Sequence, residues 1–166
     1  MKEIYMLTGP VRSGKTTKLT EWCEKQKSVD GILAPIVNDM RHLHHFGSGV
    51  LKRLETDQKS EETIQIGRYN FDPEVFDWAK ERLNSLPLQK LHWLVIDEIG
   101  PLELRRQGLE SAVSMILDQR SNYQNLSVVL VVREQLLRDV ISHYQLTDIK
   151  LHIIRDVEFL QDSLGR

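Results

Sequence analysis

A chain of 166 residues, 40% hydrophobic and 28% charged, has enough material for one domain with a full core and reads as globular rather than disordered. Its formal net charge of -2 supplies no general attraction to nucleic acid or to a membrane surface, and neither is expected as a partner. No apolar run is long enough to span a bilayer, and the single cysteine, Cys23, has no internal disulfide partner.

Met1-Lys2-Glu3 leads directly into the apolar run Ile4-Tyr5-Met6-Leu7, which reads as a strand rather than a signal peptide, so a cytoplasmic location is expected. Behind it stands Gly9-Pro10-Val11-Arg12-Ser13-Gly14-Lys15-Thr16, which fits the pattern G-x-x-x-x-G-K-[ST]. The two glycines let the backbone close into a loop whose N–H groups point at phosphate oxygens. Lys15 supplies a point charge for the β- and γ-phosphates, and the Thr16 hydroxyl is placed to bind Mg²⁺. A helix starting near Lys15 and carrying Thr17 adds its positive N-terminal dipole. Strand, loop and helix in this order imply binding of a nucleoside triphosphate. Arg12 stands where a small residue is frequent, and its side chain either reaches phosphate or turns to solvent.

The helix is expected over 17–27, with Leu19, Trp22 and Cys23 on its buried face, which makes Cys23 core filler. Residues 31–37 read as a second strand in which Pro35 demands an edge position or a bulge. Residues 41–67 read as one or two hairpins, with a turn at Gly47-Ser48-Gly49 and short strands at 50–54 and 63–66. His42, His44 and His45 lack the partners of a metal site and are expected to pack or face solvent. Asp72-Pro73-Glu74 opens a helix with a capping residue, a first-turn proline and a first-turn acid, and Leu86-Pro87 closes it. Residues 91–96 form a near-continuous apolar run typical of a strand buried on both faces. A helix follows over 108–119, then the strongly β-prone strand 126–132, then a helix lined by Leu136, Leu137, Val140, Ile141 and Tyr144. A strand at 151–154 and a short helix over 157–164 end the chain. Alternation of strands and helices implies a single α/β domain with a mostly parallel sheet covered on both faces and an antiparallel hairpin addition.

Asp97 and Glu98 follow the 91–96 strand, at the edge of the sheet where ligands bind. There Asp97 is placed to hold Mg²⁺ through water, and Glu98 to orient and deprotonate an attacking water. The run Asp97-Glu98-Ile99-Gly100-Pro101-Leu102-Glu103-Leu104 resembles the DEIGxMEL signature of the small P-loop nucleoside triphosphatases of the thermostable and cancer-related type. The phosphate loop, the hairpin insertion, the residues around Gly67-Arg68-Tyr69 and the total length fit the same family, while Leu102 replaces the commoner Met. The resemblance implies a RecA-like P-loop fold and Mg²⁺-dependent hydrolysis of NTP to NDP and phosphate with weak base selectivity, carried by Lys15, Thr16, Asp97 and Glu98. Glu103 matches the signature, either bonding the loop that carries Glu98 or joining the metal shell. The resemblance also implies a further strand, best matched by 126–132, between the phosphate-loop strand and the Asp97 strand. Arg133 would then face the γ-phosphate as a built-in arginine finger, or else turn to solvent. Its place at the start of an expected helix, where the macrodipole disfavours a cation, hints at a nearby anion.

Two rival functions share these residues. A small-molecule or nucleotide kinase uses the same loop, although Arg105, Arg106 and Arg120 are scattered and form no Arg-rich lid. An NTP-binding adaptor or switch would bind nucleotide and turn it over slowly. No Asn-Lys-x-Asp guanine-reading motif is present, and the sequence points to no protein partner.

Overall fold

The structure is a computed structural model that describes residues 1–10, 13–57 and 62–161. Strand β1 (Glu3–Leu7) runs into the phosphate loop and helix α1 (Lys15–Glu24). Strands β2 (Val29–Leu33), β3 (Ile36–Val37), β4 (Met40–His45) and β5 (Val50–Arg53) follow, then β6 (Glu55–Thr56), β7 (Ile64–Ile66) and β8 (Tyr69–Phe71). Helix α2 (Pro73–Asn84) leads to β9 (Trp93–Ile99), the short helix α3 (Pro101–Leu104) and α4 (Glu110–Asp118). Strand β10 (Ser127–Val132), helix α5 (Leu137–His143), strand β11 (Leu151–Ile154) and helix α6 (Glu158–Gln161) complete the described chain.

The main sheet has the order β11-β1-β10-β9-β2-β4-β3, with β5 paired to β4. From β11 to β2 all neighbours are parallel, whereas β4 pairs antiparallel with β2, β3 and β5. Strands β6, β8 and β7 form a separate small antiparallel sheet. The expected α/β architecture with an antiparallel extension is therefore present, and β10 lies between β1 and β9 as the resemblance implies.

Alternation along the strands distributes the core. Ile4, Met6, Leu94, Ile96, Val128 and Leu130 pack with α2, α4 and α5 on one face, while Tyr5, Leu7, Trp93, Val95, Val129 and Val131 pack with α1 and α6 on the other. Both faces of β1, β9 and β10 are buried, which is why their sequences read as unbroken apolar runs. Cys23 is buried beside Trp22, as expected of core filler, and burial pushes its thiol up to about 12. The Asp72 cap also holds, its Oδ1 accepting from Glu74 N at 2.9 Å.

Several boundaries differ from expectation. The anticipated strand 31–37 is split, because Pro35 lacks the N–H a ladder needs and lies between β2 and the short edge strand β3. Helix α1 starts at Lys15 and stops at Glu24, and α5 starts only at Leu137 after a 3₁₀ turn at Glu134–Leu136. The strand at 64–66 finds its partner in β8, which was not expected. Of the expected closing helix, the part beyond residue 161 lies outside the described residues. Among the described residues no helix is long and apolar enough to cross a membrane.

Candidate active site

The C-terminal ends of β1, β10 and β9 converge on one edge of the sheet and bring the two motifs together. Gly9 and Gly14 both take positive φ, 147° and 77°, and Gly14 is the left-handed residue from which α1 begins. Lys15 folds back over its own loop, with Nζ donating to Gly9 O at 3.1 Å, Pro10 O at 2.5 Å and Ser13 Oγ at 3.3 Å. The ammonium is thereby held at the mouth of the loop. Val11 and Arg12 lie outside the described residues.

One residue along the helix, Thr16 Oγ1 donates to Asp97 Oδ2 at 2.7 Å, joining the phosphate loop to β9. The same carboxylate oxygen accepts from Ala34 N at 3.3 Å. Asp97 is only 2% exposed, and this burial pushes its carboxyl up to about 6, although the Thr16 hydrogen bond pulls the other way. Thr16 and Asp97 thus offer two hard oxygen donors side by side.

Asp97 and Glu98 face different ways, as successive residues of a strand do, and β9 is irregular at this point. Leu130 pairs with Ile96 but Val132 pairs with Ile99, so two residues of β9 stand opposite Val131 alone. The extra residue resets the alternation and returns Ile99 to the cluster that holds Ile96. Asp97 turns to α1 while Glu98 stays half-exposed at the sheet edge, across a cis peptide bond. Arg133, the first residue after β10, places Nε 2.6 Å from Glu98 Oε1. Arg41 of β4 approaches Glu98 Oε2 from the other side at 3.7 Å. The anion beside Arg133 is therefore Glu98. Its place in the chain hinted at a nearby anion, and the segment that follows it directly is a 3₁₀ turn rather than the expected α-helix.

A family model described as NTPase matches residues 4–156. The chain belongs to this NTPase family. The P-loop fold is similar over the whole of both chains to the crystal structure of THEP1 from the hyperthermophile Aquifex aeolicus, with a TM-score of 0.73 and 21% identity. It is likewise similar, at a TM-score of 0.71 and 21% identity with full coverage of both chains, to the solution structure of a human cancer-related nucleoside triphosphatase. No curated protein sequence matches the chain.

In this NTPase-family chain a cavity of about 510 Å³ runs from the phosphate loop to the acidic pair. Gly9, Ser13, Gly14, Lys15, Thr16 and Thr17 line one end of it, and Asp97, Glu98, Arg41 and Arg133 the other. Pro10 lines a smaller neighbouring cavity of about 190 Å³ with Lys18 and Arg155. Arg41 was not foreseen, because it comes from the hairpin insertion and no local pattern links it to Glu98.

Glu103 resolves in favour of the loop. Its Oε2 accepts from Gly100 N at 2.9 Å and its Oε1 from Leu109 N at 3.0 Å, so both oxygens brace the turn that follows Glu98. Burial raises its carboxyl to about 7 against the pull of these two N–H groups. Gly108 makes room for it: with φ at 61°, an added Cβ would stand 2.3 Å from Glu103 Oε1. Gly108→Ala is expected to cost at least ~1–2 kcal/mol from the left-handed backbone alone. The melting temperature of the NTPase should then fall by about 2–8 °C, and an unchanged melting curve would contradict the bracing role. His42, His44 and His45 of β4 have local neighbours in and just after that strand: His42 Nδ1 lies 2.9 Å from Met40 O, His44 packs edge-on to Phe46, and His45 Nδ1 lies 2.7 Å from Ser48 Oγ.

Proposed function

We propose that this chain hydrolyses nucleoside triphosphates to the diphosphate and phosphate in a Mg²⁺-dependent reaction with weak base selectivity. The observation that carries the reading is the 2.7 Å bond from Thr16 to Asp97, with Glu98 next in sequence and Lys15 one residue earlier. Phosphate ligand, metal ligands and base thereby line a single cavity. The NTPase family and the nucleoside triphosphatase named among the similar structures support the reaction class.

Each residue has a defined part. Backbone N–H groups of the loop from Gly9 to Thr17, Pro10 having none, and the Lys15 ammonium bind the β- and γ-phosphates. The Thr16 hydroxyl and the Asp97 carboxylate fit Mg²⁺, which favours oxygen ligands, and the ion when bound neutralises charge on the β- and γ-phosphate oxygens. Glu98 accepts a proton from water, whose oxygen forms a bond to the γ-phosphorus. The bond from that phosphorus to the β–γ bridging oxygen breaks, and the diphosphate leaves. Arg133 and Arg41 hold the Glu98 carboxylate from two sides and bring positive charge to the place where negative charge develops.

Phosphate release from ATP, GTP, CTP and UTP, each with Mg²⁺ and with chelator, tests the reading. All four should turn over with Mg²⁺ within about tenfold of one another, a spread of about 1.4 kcal/mol in barrier. Tight binding with negligible release would instead make the protein a nucleotide switch.

A further inference from the structure

Hydrolysis needs room at Glu98 for a single water, whose share of liquid volume is about 30 Å³. The structure provides far more. A second cavity of about 400 Å³ opens on the side of Glu98 away from the phosphate loop. It shares Ala34, Arg41, Asp97, Glu98 and Arg133 with the nucleotide cavity, so the two meet at the reacting end. Its walls have a different chemistry. Leu43, Leu54, Ile66, Tyr69, Phe71 and Phe76 supply an apolar surface that includes three aromatic rings, while Glu98, Arg41 and Arg133 stand at its junction with the nucleotide cavity.

The rings of this wall pack on one another and on Arg41. Tyr69 stacks on Phe71 with ring planes 14° apart, Phe71 meets Phe76 edge-on, and the Arg41 guanidinium lies 5.1 Å from the Tyr69 ring centroid. Most of the apolar wall comes from the β4–β8 region, which is inserted between β2 and α2 and also supplies Arg41. An aromatic wall with polar groups at one end is the design of a small-molecule site, and its volume lies within the usual range of about 300–1,000 Å³.

We propose that this chamber binds a phosphoryl acceptor: a neutral molecule with a flat aromatic ring and a primary hydroxyl that reaches Glu98. The proposal rests on the reading of Lys15, Thr16, Asp97 and Glu98 given above and names the second substrate of that site. In the transfer, the acceptor oxygen forms the new bond to the γ-phosphorus and its proton passes to Glu98. The bond to the β–γ bridging oxygen breaks, so that NTP and alcohol become NDP and a phosphomonoester. Water takes the same position when no alcohol is bound. The ring belongs either to a nucleoside or to a simple aromatic alcohol, and both present the same chemistry to the chamber.

The test uses ATP radiolabelled in the γ-phosphate, with Mg²⁺, in the presence of benzyl alcohol, tryptophol, uridine or adenosine at millimolar concentration. Label is expected in a phosphomonoester with at least one of these, the identity of that probe separating the two sources. Ile66→Trp, which fills the chamber from the β7 side, should lower the ratio of ester to inorganic phosphate by about tenfold or more. This ratio does not depend on how much of the variant is folded. Label released solely as inorganic phosphate with every probe, or a ratio unchanged by Ile66→Trp, overturns the acceptor site and leaves the hydrolase reading standing. Absence of any NTP turnover, with or without alcohol, overturns the hydrolase reading and the acceptor with it.

Discussion

Glu98→Gln is expected to lower kcat by about 10²–10⁴ while nucleotide and Mg²⁺ still bind. The amide keeps the size of the side chain and one oxygen to accept from Arg133, but it cannot take up a proton from the attacking water. The hydrogen bond from Thr16 to Asp97 does not involve Glu98, whose side chain is held by Arg133 and Arg41, so these ligands keep their geometry. Steady-state kinetics together with equilibrium nucleotide binding separates the two quantities. Near-normal turnover would remove the base from Glu98. Glu103 would then be an unsatisfactory substitute, because both of its oxygens are committed to Gly100 and Leu109.

Arg133→Ala comes next in size, with kcat expected to fall by about 10²–10³ and nucleotide affinity little changed. Two effects combine in that figure. The variant loses a positive charge where the phosphoryl group gains negative charge, and it releases Glu98 from its shortest partner, the Nε contact at 2.6 Å. Arg133→Lys separates them: an ammonium restores charge but not the planar donor set that fixes the carboxylate. Adding Arg133→Ala to Glu98→Gln should cost much less than the two single losses multiplied, because the residues form one unit. Unchanged kcat in Arg133→Ala would sink both roles. Equal losses in kcat and in affinity would make Arg133 a ligand of the ground-state phosphate.

Much of this site was legible from the chain because its chemistry is local. The phosphate loop is eight consecutive residues, and the acids sit directly behind an apolar run whose two buried faces announce a central strand. Strand β10 was legible from its composition, but its place between β1 and β9 was legible only through the family resemblance, since apolar composition marks a buried strand without giving its neighbours. What stayed hidden depends on contacts between distant segments. Arg41 reaches Glu98 across 57 residues of chain, from a hairpin whose own pattern records only the alternation of β4. The extra residue in β9 that returns Ile99 to the face of Ile96 leaves no mark in composition. Glu103 was visible as a signature residue, but its two backbone partners appear only once α3 folds over the turn. The aromatic chamber was missed for a similar reason: strand β8 was not expected, and only its packing against α2 brings Phe71 and Phe76 together in one wall.

The central claim is that Glu98 delivers water to the γ-phosphorus of a nucleotide held by the Lys15 loop. Its most direct test is one turnover of ATP and Mg²⁺ in water enriched in heavy oxygen, with no alcohol present and the products weighed by mass spectrometry. The account predicts one heavy oxygen in the inorganic phosphate and none in the diphosphate. Heavy oxygen in the diphosphate, or no phosphate formed at all, would contradict it.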